Sequence, residues 1–133
     1  SSAATYGAPK LAIYAATKFA VKGLTEALAV ELSRFDVRAA DVLPGLIDTP
    51  ILNATVYQDG EALETKGRTI GAEVPDEGPF RLIDPSIVAE TVWNAYNGNR
   101  VHWYVPEEIE HIDRAKAADV EAMRDERIAQ TST

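Results

Sequence analysis

The run Tyr14–Leu32, YAATKFAVKGLTEALAVEL, and the run Val37–Leu43, VRAADVL, that follows it set an apolar helix ahead of a short buried strand. In the first, Phe19, Val21, Leu24, Leu28, Ala29 and Leu32 recur with helical periodicity, while Lys22, Glu26, Glu31 and Arg34 take the other side. A helix is therefore expected from Ile13 to about Arg34. Its alanines (Ala15, Ala16, Ala20, Ala27, Ala29) favour helix and let neighbouring elements approach closely on more than one face. The second run is short, rich in apolar residues and closed by Pro44-Gly45, so it reads as a buried strand, with Asp41 its least fitting member.

Upstream, Gly7 and Pro9 mark a turn before the helix. Downstream, 50–85 has no sustained period and is broken by Gly60, Gly67, Gly71, Pro75, Gly78 and Pro79; so long a connection in a compact domain means a functional lid or disorder. Asp84-Pro85-Ser86 starts a short amphipathic helix carrying Ile87, Val88, Val92 and Ala95 and ending near Gly98. Val101–Val105, VHWYV, is a second strand, and after Pro106 one charged helix is expected, with Ile109, Ile112, Val120 and Met123 as a thin apolar stripe and a loose tail behind it. Helices alternating with short apolar strands indicate an α/β fold with a parallel sheet covered on both faces. Two strands cannot make such a sheet, so its other strands are expected from sequence outside this chain or from another chain.

Composition narrows the function. The chain has 133 residues, 13 basic against 21 acidic, a net charge of −8. That balance argues against a nucleic-acid partner and against docking on an anionic membrane, both of which call for a basic face. No apolar run approaches the roughly 20 residues of a membrane span. Cysteine is absent, which removes disulfides and thiolate metal sites and is compatible with a cytoplasmic protein. The chain opens at Ser1, its single methionine is Met123, and it is expected to be a piece of a longer protein.

Chemistry concentrates at two places. Tyr14 and Lys18 stand four residues apart in the first helix; four residues turn about 400° and rise about 6 Å, so phenol and ammonium share one face. Alone, such a pair reads as a helix-surface contact, and Tyr6 with Lys10 repeats the spacing across Gly7 and Pro9, where no continuous helix is expected. Ser1 lies 13 residues before Tyr14 and Ser2 lies 12 before it, with a small-residue turn between that can fold a hydroxyl back toward the phenol. The strand at Val37–Leu43 runs into Pro44-Gly45-Leu46-Ile47-Asp48-Thr49, and ligands of open parallel sheets sit beyond such strand ends.

In these features the chain resembles the C-terminal half of a short-chain dehydrogenase/reductase. A serine, a Tyr-x-x-x-Lys pair and a Pro-Gly-x-Ile-x-Thr loop occur in the family's order and spacing, and the match covers Ser1 to Val105. The family's Gly-rich dinucleotide loop, its cofactor-selecting residue and its upstream asparagine have no counterpart here. The resemblance implies a Rossmann-like, doubly wound parallel sheet of which residues 1–133 are the C-terminal part, 50–85 the substrate lid and 106–133 a C-terminal helix and tail. It implies NAD or NADP as cofactor and a small carbonyl or alcohol as substrate. It assigns Tyr14 as general acid/base, Lys18 to lower the proton affinity of the phenol and bind the nicotinamide ribose, and Ser1, or Ser2 if the turn is one residue shorter, to polarise the carbonyl. Pro44, Gly45, Ile47 and Thr49 would line the nicotinamide side. A phenol has a pKa of about 10, and lowering it by about 2 to 3 units takes about 3 to 4 kcal/mol, which a nearby ammonium and an oxidised nicotinamide ring can supply. The resemblance also implies a homodimer or homotetramer packed through the alanine-rich helix.

Blander readings stand beside these. Thr49 can serve as a turn residue before Pro50, Pro44-Gly45 as a simple strand end, and Ser1 as a frayed terminus. Glu107 and His111 share a helical turn, but two such groups and His102 make no metal site, and a solvated face is expected from Glu107 to Asp113. Trp93, Trp103 and Tyr104 are expected in the core or a subunit contact. A catalytically silent oligomerisation or binding module derived from the family is the alternative to an enzyme.

Overall fold

A computed structural model describes residues 1–7, 9, 11–53, 57–62 and 74–131. The chain begins with a 3-10 turn, Ser2–Ala4, and enters helix α1, Ala12–Glu31, which relaxes into a second 3-10 turn at Ser33–Phe35. Asp36 ends that turn in the left-handed region at φ 57°. Strand β1 covers only Asp41–Pro44, shorter than the expected 37–43, because its ladder partner β6, His102–Val105, fixes where pairing starts.

The two strands run parallel, with Asp41 beside His102 and Pro44 beside Val105. Helix α2, Pro85–Asn97, packs on both as the crossover, as parallel pairing requires. Its start follows the sequence: Asp84 accepts the Ser86 amide at 2.8 Å, and Pro85 sits where no intrahelical donor is needed. Gly98 ends it against the Trp103 ring. Leu43, Val105 and Ile109 form the centre of the core, each almost wholly buried; complete burial of such side chains contributes about 1.5 to 3 kcal/mol apiece.

The segment expected to be an irregular lid contains structure of its own. Pro50–Asn53 is a 3-10 turn, and β3 (Tyr57–Gln58) and β4 (Glu61–Ala62) form a hairpin. Its turn is Asp59-Gly60, both left-handed at φ 52° and 85°, the combination that Asp-Gly supplies to tight hairpins. Farther along, β5 (Leu82–Ile83) runs parallel to β2 (Leu46–Ile47), a second small sheet just past β1. Val56, Leu63 and Ile70 of the expected lid lie outside the described residues.

The single charged helix expected after Pro106 is two, α3 (Ile109–Ala118) and α4 (Val120–Thr131). Asp119 breaks them: it leaves the helical region at φ −155°, ψ 94°, and its carboxylate accepts the Ala122 amide at 2.8 Å, capping α4. Of the expected stripe, Ile109 is buried and Val120 is exposed. Trp93, expected in the core or a subunit contact, is exposed in the single chain. Among the described residues, no helix is long and apolar enough to cross a membrane.

Candidate active site

The first residues are anchored rather than frayed. Ala3, Ala4 and Thr5 are buried, the Thr5 hydroxyl donates to the Ser2 carbonyl at 2.7 Å, and the turn packs on α1 and β1. The Ser1 hydroxyl oxygen accepts the Ala3 amide at 3.2 Å, which leaves the hydroxyl hydrogen available to a ligand oxygen.

A groove of about 650 Å³ opens between this turn, the first turns of α1 and the loop beyond β1. Ser1, Tyr14, Lys18, Pro44, Gly45, Ile47 and Thr49 all line it, so the structure brings every expected site residue to one cavity. Leu11, Leu46, Ile51 and Leu52 supply apolar wall, the last two from the segment expected to be the lid. Tyr14 and Lys18 sit as the helical pitch requires, with the Lys18 ammonium 5.1 Å from the centre of the Tyr14 ring. Tyr14 is 47% exposed and so open to a ligand from the groove. Thr49 also begins the Pro50–Asn53 turn, its carbonyl accepting the Leu52 amide at 3.1 Å.

The glycine in the loop has a steric reason. A Cβ on Gly45 would stand 3.2 Å from the Val105 carbonyl oxygen, which also accepts the Gly45 amide at 2.7 Å. The close approach turns the chain at the end of β1 and aims Ile47 and Thr49 at the groove.

Ser2 and Tyr6 lie elsewhere. Ser2 is not among the residues lining the groove. Burial raises the Tyr6 pKa above its ordinary value, with Phe80 edge-on at 5.8 Å and the Arg127 guanidinium 4.3 Å from the ring centre. Lys10, its spacing partner, lies outside the described residues.

Two neighbouring clusters are absent from the expectations. Asp113, placed by sequence on a solvated face, is 8% exposed: Lys22 of α1 pairs with it, the Tyr104 hydroxyl donates to it at 2.7 Å, and Lys116 lies 3.5 Å away. Burial pushes its carboxyl pKa up, but the hydrogen bonds from Lys22 and Tyr104 and the two ammonium charges outweigh that and hold it below the ordinary value. Burial, then the hydrogen bond to Asp113, raises the Tyr104 phenol. His102 joins β6 to two elements, Nδ1 lying 2.7 Å from Asp41 and Nε2 3.0 Å from Glu26 of α1. That contact accommodates the aspartate in β1. Apolar periodicity carries no signal for either cluster, since the partners are far apart in the chain.

Residues 1–60 match a family model described as short chain dehydrogenase. A curated oxidoreductase of Staphylococcus epidermidis is 32% identical over 77 residues, which are 58% of this chain and 31% of that protein. A diacetyl reductase, (S)-acetoin forming, of Staphylococcus aureus is 34% identical over 61 residues, 46% of this chain and 24% of the relative. The match thus spans under a third of each relative's length. No solved structure gives a significant match.

Proposed function

Because the chain belongs to the short-chain dehydrogenase/reductase family, we propose that Ser1, Tyr14 and Lys18 are the proton-handling part of a hydride-transfer site for a carbonyl or alcohol substrate. The observation that carries this reading is the convergence of all seven expected residues on one groove.

The donor set suits NAD or NADP. An ammonium, a phenol and two hydroxyls meet an apolar wall, which matches a ribose with its flat nicotinamide. Lys18 would hold the ribose, and Pro44, Gly45, Ile47 and Thr49 would flank the ring. When bound, the nicotinamide supplies or accepts the hydride. Ser1 donates its free hydroxyl hydrogen to the substrate oxygen and fixes its position. In reduction Tyr14 gives that oxygen a proton, and in oxidation it takes one. An ammonium beside a phenol favours the charged form left after proton transfer, which is the work of Lys18.

The same reading makes residues 1–133 the C-terminal part of a Rossmann-like domain, with 50–85 as substrate lid and 106–133 as C-terminal extension, in a cytoplasmic enzyme. One edge of β1 pairs with β6, and among the described residues no strand pairs with the other. Ile13, Val21, Leu24 and Val30 of α1 are exposed, an apolar face suited to further elements of the domain and to a second copy in a homodimer or homotetramer.

The test combines NADH and NADPH titrations, followed by nicotinamide fluorescence, with turnover on diacetyl, a small dicarbonyl suggested by the Staphylococcus aureus relative's name. Tyr14→Phe is expected to cut turnover about 10³-fold while cofactor affinity stays within about twofold, because only the transferable proton is lost. Unchanged turnover sinks the assignment. A folded chain that binds neither cofactor favours the silent module instead.

A further inference from the structure

The hydride-transfer reading leaves four residues of the groove without a role: Leu11, Leu46, Ile51 and Leu52. One of them is placed by the helix that carries the proton donor. Leu11 caps α1, and its carbonyl accepts the Ala15 amide at 2.8 Å, so it belongs to the first turn. It stands three residues before Tyr14 as Lys18 stands four after it, and residues at those spacings share a helix face. Leu11, Tyr14 and Lys18 therefore form a row about 10 Å long, at about 1.5 Å of rise per residue. The phenol lies between an ammonium at one end and a hydrocarbon side chain at the other.

That row gives the groove a direction. With the cofactor ribose at Lys18 and the reacting oxygen at Tyr14, a substrate arm that runs away from the cofactor runs toward Leu11. The Pro50–Asn53 turn adds a second apolar wall. Leu52 is 4% exposed, and its amide is held by the Thr49 carbonyl, so it forms a fixed base. Ile51 beside it is 72% exposed and Leu11 is 47% exposed, so both keep apolar surface that a ligand can cover. Among the described residues, Lys18 is the only charged side chain lining the groove. A carboxylate or ammonium on the substrate arm would lose water there and find no partner, whereas a hydrocarbon arm gains by the same burial.

We propose that Leu11 and Ile51 select the substrate, an uncharged ketone or secondary alcohol whose hydrocarbon arm lies against these two side chains and over Leu52. The proposal rests on the hydride-transfer reading, which supplies the direction of the groove. In reduction the carbonyl carbon takes the hydride from the reduced cofactor and the oxygen takes the Tyr14 proton, giving a secondary alcohol and the oxidised cofactor. The arm takes no part in the chemistry and is read by burial alone.

The test uses 2-hexanone and 4-oxopentanoate, a matched pair in which a carboxylate replaces a terminal ethyl group. With the full chain and NADH or NADPH, KM for 2-hexanone is expected to lie at least about tenfold below that for 4-oxopentanoate. Leu11→Ala and Ile51→Ala, both at exposed positions, are each expected to raise KM for 2-hexanone at least about threefold, with cofactor affinity within about twofold of wild type. The loss falls on KM rather than kcat, because the arm is bound alike in the ground and transition states. Leu11→Arg gives the carboxylate a partner and is expected to move the preference at least about tenfold toward 4-oxopentanoate. Equal KM values for the two compounds in wild type, or an unmoved preference in both folded Leu11 variants, overturns the assignment and leaves the hydride-transfer reading standing. Turnover of diacetyl without turnover of 2-hexanone does the same. Failure of all three compounds, or of the folded chain to bind cofactor, sinks the hydride-transfer reading and this assignment with it.

Discussion

Lys18 and Lys22 stand one helical turn apart on α1 and live in opposite surroundings. Lys22 is locked: it pairs with buried Asp113, which also takes the Tyr104 hydroxyl and lies near Lys116. Lys18 rests over the Tyr14 ring, faces the groove and, among the described residues, forms no ion pair. One helix thus carries a satisfied anchor in one turn and an available ammonium in the preceding one. The anchor ties α1 to α3 and β6, and His102 ties it again through Glu26. Tyr14 and Lys18 can therefore stay exposed to a ligand without the helix that presents them coming loose.

Breaking the anchor should have the largest effect on stability. Asp113→Ala strands Lys22 and the Tyr104 hydroxyl in a half-dry site and is expected to cost about 3 to 5 kcal/mol, read as a lower denaturant midpoint. Gly98→Ala comes next. A Cβ there would stand 2.5 Å from the Trp103 ring, and the ring must shift at a cost of about 1 to 3 kcal/mol.

The anchor also predicts a pH dependence. The folded-state pKa of Asp113 is depressed, so its contribution is present above the unfolded carboxylate value, about 4, and is lost as pH falls through the folded value. Tyr104 has the opposite sign: its folded pKa is raised, so stability declines as pH rises past about 10, where the unfolded phenol gives up its proton. Unfolding midpoints against pH should lose the acid limb in Asp113→Asn and the alkaline limb in Tyr104→Phe. The smallest effect belongs to the other lysine, since Lys18→Met is expected to change stability by less than about 0.5 kcal/mol.

How much of this is legible in sequence follows the same division. Tyr14, Lys18 and the Pro44–Thr49 loop are short local patterns whose geometry follows from helical pitch or from a strand end, and their meeting in one groove follows from the helix-then-strand order. β2 and β5, at two residues each, are too short to show alternation. The break at Asp119 hides because one aspartate inside a charged helix looks like any other, though its capping preference is the signal that was there to read. Asp113 reads as solvated because its partners lie on other elements, Lys22 being 91 residues away. Local polarity says nothing about such a pair. Residues reading toward the site were legible, and those bracing it from behind were not.

The most direct measurement compares NADH and NADPH binding by wild type, Lys18→Met and Lys22→Met, each with its denaturant midpoint. The account predicts that Lys18→Met weakens cofactor binding at least about tenfold with its midpoint unmoved, while Lys22→Met lowers the midpoint and its folded fraction binds as wild type does. Wild-type affinity in Lys18→Met, or no cofactor binding by the folded wild-type chain, would contradict it.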